Sequence, residues 1–252
     1  MSHHLVEVNN LFYEYPDGHQ ALRGLSFRIT HGESVGIVGA NGAGKSTLLL
    51  HFPGILTPKT GTVRVGDFPV TRQTLTQLRR SVGMIFQNPD DQLFMPTVFD
   101  DVAFGPLNLG LPRAEVEERV ERSLATVGAA HLKERPPYKL SGGEKRAVAI
   151  AAVLAMAPDI LIMDEPSAAL DPLARRRLIN LLAGFKHTKI IASHDLDLVL
   201  DLCERTIVLS QGAIIADGPT RAIFSDERIM AQGHLEKPLR MQGCPVCNRP
   251  DL

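Results

Sequence analysis

Near the start of the chain Leu5, Val6, Val8, Leu11, Phe12 and Tyr13 form a mostly apolar set, and a turn follows at Pro16-Asp17-Gly18. That pattern predicts strands separated by turn chemistry. From Gly24 to Ile29 apolar and polar residues alternate, as in a half-buried strand. Ser34 to Gly39 is an apolar run that enters a glycine-rich turn, which predicts a buried strand. Helical propensity runs from Lys45 to Phe52 and stops at Pro53-Gly54. Val82 to Phe86 predicts another short apolar strand.

The middle changes character. Residues 112–127 begin with proline and place Val116, Val120, Leu124 and Val127 three and four positions apart, the spacing of an amphipathic helix. A second helix is predicted from Ser141 to Met156, polar at its start and apolar later. Beyond it, strand (Asp159 to Asp164), helix (Pro172 to Leu182), strand (Thr188 to Ala192), helix (Leu196 to Leu202) and strand (Arg205 to Leu209) alternate. Such alternation predicts an α/β fold with a mostly parallel sheet covered on both faces. The expected organisation is a core of residues 1–87 and 158–230, with antiparallel β structure in its N-terminal part. A helical insertion spans 88–157 and a tail spans 231–252, where the pattern fades.

Composition narrows the class. The chain has 252 residues, 44% of them hydrophobic, which suffices for a substantial core. Its longest apolar run, Ala147 to Ala157, has eleven residues, against about 20 for a membrane span, so it predicts a buried helix. The start, MSHHLVEVNN, has neither the basic region nor the apolar stretch of a signal peptide. Three cysteines do not make a disulfide scaffold and suit a reducing compartment. A net charge of -1 announces no basic surface, and nucleic acid is not an expected partner.

Gly39-Ala40-Asn41-Gly42-Ala43-Gly44-Lys45-Ser46 fits the phosphate-binding pattern G-x-x-x-x-G-K-[ST], between an apolar strand and a helix. Glycines let successive N–H groups turn toward phosphate oxygens, and the helix start adds partial positive charge. Lys45 is the candidate for the β- and γ-phosphates and Ser46 for Mg2+; Thr47 is a further candidate nucleotide contact. A second apolar strand ends at Asp164-Glu165. There Asp164 is a candidate Mg2+ ligand, and Glu165 is placed to orient or deprotonate an attacking water. Leu140-Ser141-Gly142-Gly143-Glu144 opens a helix and forms a second candidate anion cradle. One nucleotide does not need two cradles on one chain, so Ser141, Gly142 and Gly143 make sense as contacts to a nucleotide held by a second subunit.

With these motifs in this order the chain resembles the ATP-binding-cassette (ABC) ATPases, phosphate-loop NTPases, from about residue 5 to 225. The resemblance implies ATP and Mg2+ as cofactors and further roles for individual residues. Gln87 matches the glutamine that contacts Mg2+ and water and couples to a membrane partner. His194, in Ala192-Ser193-His194-Asp195, matches the switch histidine at the γ-phosphate. Asp171 matches the aspartate at the dimer interface, and Tyr15 the aromatic that stacks on adenine. Asp17 and Asp101 are assigned no chemistry. A DNA-repair-type ABC ATPase would carry a long coiled-coil insertion, a translation-type one two cassettes, and a phosphate-loop kinase would lack the LSGGE run.

Within that family, Phe86 to Phe94, Asp100 to Pro106 and Ala149 to Met156 look like the ATPase subunits of energy-coupling-factor importers, including the cobalt and nickel branch. The resemblance implies a homodimer or heterodimer of ATPase subunits, a transmembrane coupling protein and a membrane substrate-binding component. It also implies a peripheral location on the cytoplasmic face of the cell membrane, with residues 88–110 in the docking surface. Cobalt or nickel is the expected cargo and a vitamin the alternative. Pro53, Glu144 and the Ser-Ala-Ala before Leu170 depart from the usual pattern without removing a catalytic group. Cys244-Pro245-Val246-Cys247 supplies two of the four ligands of a zinc site, leaving metal, redox or no role open. Cys203 reads as a small core residue.

Overall fold

A computed structural model describes residues 4–168 and 170–242, so Cys244 and Cys247 lie outside the described residues. The N-terminal part is an antiparallel sheet. β1 (His4–Glu14) pairs with β2 (Gln20–Thr30) on one side. The strands β4 (Thr60–Val65) and β5 (Phe68–Pro69) lie on the other, giving the order β2-β1-β4-β5. Between them in sequence come β3 (Ser34–Val38) and α1 (Lys45–His51), which belong to a second sheet and its cover. α2 (Leu75–Ser81) leads into β6 (Val82–Ile85) of that second sheet.

The second sheet carries the site. Its order is β10-β9-β3-β8-β7-β6, with β7 at Ile160–Asp164, β8 at Thr188–Ala192, β9 at Arg205–Ser210 and β10 at Ala213–Pro219. All its pairings are parallel except that of β9 with the edge strand β10. β3, β6, β7 and β8 are buried at every position, as expected for strands covered on both faces. The register aligns Ile37 with Ala192, Asp164 with Ala192, and Ile85 with Met163. Four C-terminal strand ends therefore meet at one edge, where open α/β sheets bind ligands.

Residues between β6 and β7 form three helices, α3 (Val98–Asn108), α4 (Arg113–Thr126) and α5 (Gly142–Leu154), with a hydrophobic core of their own. Val116, Val120 and Leu124 of α4 are buried in it, as their spacing requires. The apolar run predicted as a buried helix is the body of α5, joined there by Val148, Ala149 and Ala151. Among the described residues no helix is long and apolar enough to cross a membrane. α6 (Pro172–Gly184) and α7 (Leu196–Leu202) cover the parallel sheet. Cys203, directly after α7, is buried there, and burial pushes its thiol up to about 12.

Two features go beyond the sequence pattern. β10 is followed by α8 (Thr220–Ser225) and α9 (Glu227–Gln232). Residues 234–242, which the sequence pattern leaves as a fading tail, are docked on α7. Arg240 reaches Asp201 at 2.7 Å and Asp197 at 3.2 Å, and the Leu239 amide donates to Asp197 at 2.9 Å.

Asp101 has a structural task. Its buried Oδ1 accepts the Phe94 and Met95 amides, both at 3.0 Å, and so fixes the loop before α3. Burial pushes its pKa up, against the pull of those two amides. Asp101→Ala is expected to lower unfolding stability by about 2 kcal/mol, because two amides lose their acceptor. Asp101→Asn keeps that oxygen and should stay within about 1 kcal/mol of the parent. Urea unfolding of both variants measures the difference.

Candidate nucleotide site

β3 ends at Val38 and the chain turns through Gly39, Gly42 and Gly44, all at positive φ, before α1 begins. Two of these glycines are required by space. A Cβ on Gly44 would lie 2.7 Å from the Ala21 carbonyl oxygen, and one on Gly39 would run into the Leu209 carbonyl. Gly44 caps α1 without a side-chain hydrogen bond. Lys45 is buried and curls over the turn, its Nζ donating to the carbonyls of Gly39 at 2.8 Å and Ala40 at 3.1 Å. Burial lowers its pKa, while Glu165 and Asp164 raise it.

The turn borders a cavity of about 980 Å3. Gly39, Asn41, Gly42, Gly44, Lys45, Ser46 and Thr47 line it, joined by Gln87, Glu165 and His194. Gln87 follows β6, Glu165 follows β7 and His194 follows β8, so the parallel register alone brings them together. Ala43 is buried behind the turn.

Glu165 and His194 are in direct contact. His194 Nδ1 lies 2.8 Å from Glu165 Oε2, and the His194 amide donates to Oε1 at 3.1 Å. Ser193 donates its hydroxyl to Oε2 at 3.0 Å. Glu165 holds φ at 47°, a strained left-handed conformation for a non-glycine residue. Its amide donates to the Ala192 carbonyl at 2.8 Å, which pins that conformation to the end of β8. Beside it, Asp164 is buried, and its Oδ1 has no hydrogen-bond partner. Burial pushes the Asp164 pKa up, and a hydrogen bond from the Ser46 side chain opposes that.

Other predicted residues fall elsewhere. Tyr15 stands behind the cavity wall rather than on it. Its hydroxyl is 3.0 Å from Thr47 Oγ1, and its ring stacks on His19, which does line the cavity. Asp171 caps α6, accepting the Ala174 amide at 2.8 Å. Ser141 and Gly142 are exposed, Gly143 is half-buried beside them, and all three lie off the cavity wall. Ser141 is the N-cap of α5 in a capping box, its amide donating to Glu144 Oε2 at 2.8 Å. The unforeseen wall residues include His19, Leu196 and Asp197 at the start of α7, and the docked 234–242 segment, from which Leu235, Lys237 and Leu239 contribute. His19 had a signal in its nearness to the turn at Pro16; the docked segment had none within its own sequence.

A family profile described as "ABC transporter" matches residues 22–168. The chain belongs to this family. A putative ABC transporter ATP-binding protein of Geobacter sulfurreducens is 68% identical over 249 residues, 99% of this chain and all of that one. The energy-coupling factor transporter ATP-binding protein of Methanocaldococcus jannaschii is 44% identical, across 98% of this chain and 91% of the relative. Among solved structures, cbiO1 of Clostridium perfringens, described as part of the ABC transporter complex cbiONQ, is 40% identical with a TM-score of 0.79. It matches 91% of this chain and 94% of its own. The ATP-binding cassette MJ0796, solved as a dimer with ADP and Pi, is 28% identical with a TM-score of 0.77, over 86% of this chain and 99% of its own. The fold is therefore that of the ABC ATPases. The chain is an ATP-binding, ATP-hydrolysing subunit of an ABC transporter.

Lys45→Ala is expected to weaken ATP binding about 10- to 100-fold, the loss of hydrogen bonds to a charged group. Titration with a fluorescent nucleotide measures it. At the second cradle, the Ser141 amide and hydroxyl, aided by Arg135, hold the Glu144 carboxyl below its ordinary value of 4.5. A lowered folded-state pKa contributes stability above the unfolded value, and that stability is lost as pH falls through the folded one. Hydrogen exchange at the start of α5 should accordingly be pH-insensitive in relative protection above about pH 5 and lose protection on acidification. Glu144→Gln should abolish that loss.

Proposed function

We propose that this chain is the motor of an importer of the energy-coupling-factor class, working as a pair of ATPase subunits on a transmembrane coupling protein. The observation that carries the reading is the division of the two phosphate cradles. Lys45, Glu165 and His194 share one cavity, whereas Ser141 is exposed and off its wall. A second ATPase subunit facing the first would bring its Ser141, Gly142 and Gly143 to the nucleotide, with Asp171 near the seam. The same sequence features favour a homodimer, since both cradles are intact in one chain.

The chemistry follows from the geometry. The turn amides and Lys45 bind the β- and γ-phosphates. Ser46, Asp164 and Gln87 would hold Mg2+. The unpartnered Asp164 Oδ1, on a carboxyl with the Ser46 side chain beside it, suits a hard divalent cation, which would supply charge to the phosphate oxygens when bound. Glu165 orients water for in-line attack and takes its proton, with its carboxylate fixed by Ser193 and the His194 amide. His194, at the cavity, stabilises charge that develops on the γ-phosphate. Thr47 supports the turn with Tyr15 behind it.

The membrane partner would meet the edge after Gln87. Phe94, Phe104 and Leu107 are exposed large apolar residues there, and the two phenyl rings meet edge to face at 5.0 Å. Likeness to the energy-coupling-factor ATPase and to cbiO1 supports this class and a peripheral location on the cytoplasmic face of the membrane. The cargo read from the sequence is cobalt or nickel. A vitamin is the second reading, and the membrane substrate-binding component decides between them.

Glu165→Gln is expected to bind ATP, form a stable dimer and turn over at least about 100-fold more slowly. Light scattering with ATP and a phosphate-release assay test both parts. Near-normal turnover would remove Glu165 from its role. The importer reading predicts that the chain pellets with membranes only when the coupling protein is co-expressed; pelleting without it contradicts the reading.

A further inference from the structure

Asp195, next to His194, is a second carboxylate held by several partners near the site. Arg175 of α6 grips it with two hydrogen bonds, Nε to Oδ2 at 2.6 Å and Nη2 to Oδ1 at 2.8 Å. Ser167 donates its hydroxyl to Oδ2 at 3.2 Å, and the Leu198 amide donates to Oδ1 at 2.9 Å, capping α7. The Asp195 amide donates to Ser193 Oγ at 3.1 Å, the same hydroxyl that donates to Glu165. A continuous chain of hydrogen bonds thus runs from the loop before α6 through Asp195 to the Glu165–His194 contact.

Local sequence explains how Arg175 arrives there. Asp171 caps α6 and Pro172 opens it, which sets Arg175 in the first turn, facing α7. The pair is partly buried, with the two side chains 25% and 21% exposed. Burial raises the Asp195 pKa, but the Arg175 pair with the capping amide outweighs it and holds the carboxyl below the ordinary value. A bidentate, half-desolvated pair of this kind restricts orientation as well as distance.

We propose that Arg175 is a positioning residue for hydrolysis: by clamping Asp195 against Ser167 and the start of α7, it holds the His194 loop in register with Glu165 and ties that register to the Ser167–Asp171 loop. The loop is where a second ATPase subunit would press. The clamp therefore makes the hydrolytic pair sensitive to subunit contact without touching nucleotide. This inference rests on the hydrolytic roles proposed for Glu165 and His194.

The test uses the full chain and four variants: Arg175→Ala, Arg175→Lys, Asp195→Asn and the Arg175→Ala/Asp195→Asn double. Expected for Arg175→Ala is a fall in kcat of about tenfold or more with KM for ATP within about twofold, since the group acts on orientation rather than binding. Arg175→Lys should recover part of the loss, and the double variant should lose no more than the worse single one. An unchanged kcat in Arg175→Ala overturns the proposal. So does a loss that appears equally in KM, comes with a large drop in melting temperature and is not recovered by lysine, because that marks a merely structural ion pair. Glu165→Gln run alongside separates the two readings. Normal turnover in that variant removes Glu165 from the mechanism, whereas an inactive Glu165→Gln beside a normal Arg175→Ala removes only the clamp.

Discussion

The parallel register of β3, β8, β7 and β6 is the constraint on which the site depends. Backbone pairing of Ile37 with Ala192 and of Asp164 with Ala192 sets the strand ends level. A slip of one residue would turn every buried side chain of a strand to the opposite face. Because these strands are buried on both faces, such a slip is opposed by the whole core. The loops after the strands can then carry polar and strained residues without losing their places. Gly39, Gln87, Glu165 and His194 come from positions spread over 156 residues of chain, yet they share one cavity.

Charge at the edge is managed in layers. Lys45 is drawn back onto the carbonyls of its own turn, with Asp164 and Glu165 near enough to favour its charged form. Arg146, buried in α5, donates to the carbonyls of Phe86 and Gln87. Lys145 pairs with Asp90 at 2.6 Å, and Gln92 donates to the Ala149 carbonyl at 2.8 Å. Together these contacts bind the strand exit at Gln87 to the helix that begins at Ser141. The helical insertion is therefore joined to the exit of β6 by partly buried hydrogen bonds from Arg146.

Much of this was legible in the residues. The glycine-rich turn, the apolar strand ending at Asp164-Glu165 and the Ser141 cap are local patterns, and each sits where its spacing implied. Features held by distant partners were not. Nothing within 234–242 announces an ordered segment; its place comes from Arg240 meeting Asp197 and Asp201 some forty residues earlier. The resemblance gives Tyr15 as the aromatic that stacks on adenine, whereas the fold sets it behind the cavity wall, its hydroxyl beside Thr47 and its ring stacked on His19, which faces the cavity. Asp101 shows the same limit, because its value lies in two amides that only the fold presents to it.

The left-handed backbone of Glu165 has a consequence for mutational choice. At φ 47° a glutamine keeps the shape of the native side chain and one of its two acceptor oxygens, and asparagine or glycine relaxes into the conformation readily. Valine, isoleucine or threonine would crowd the backbone there. The set of replacements that can silence the site while leaving the fold undisturbed is consequently small. A library randomised at this codon would sort its members first by backbone tolerance and only second by chemistry.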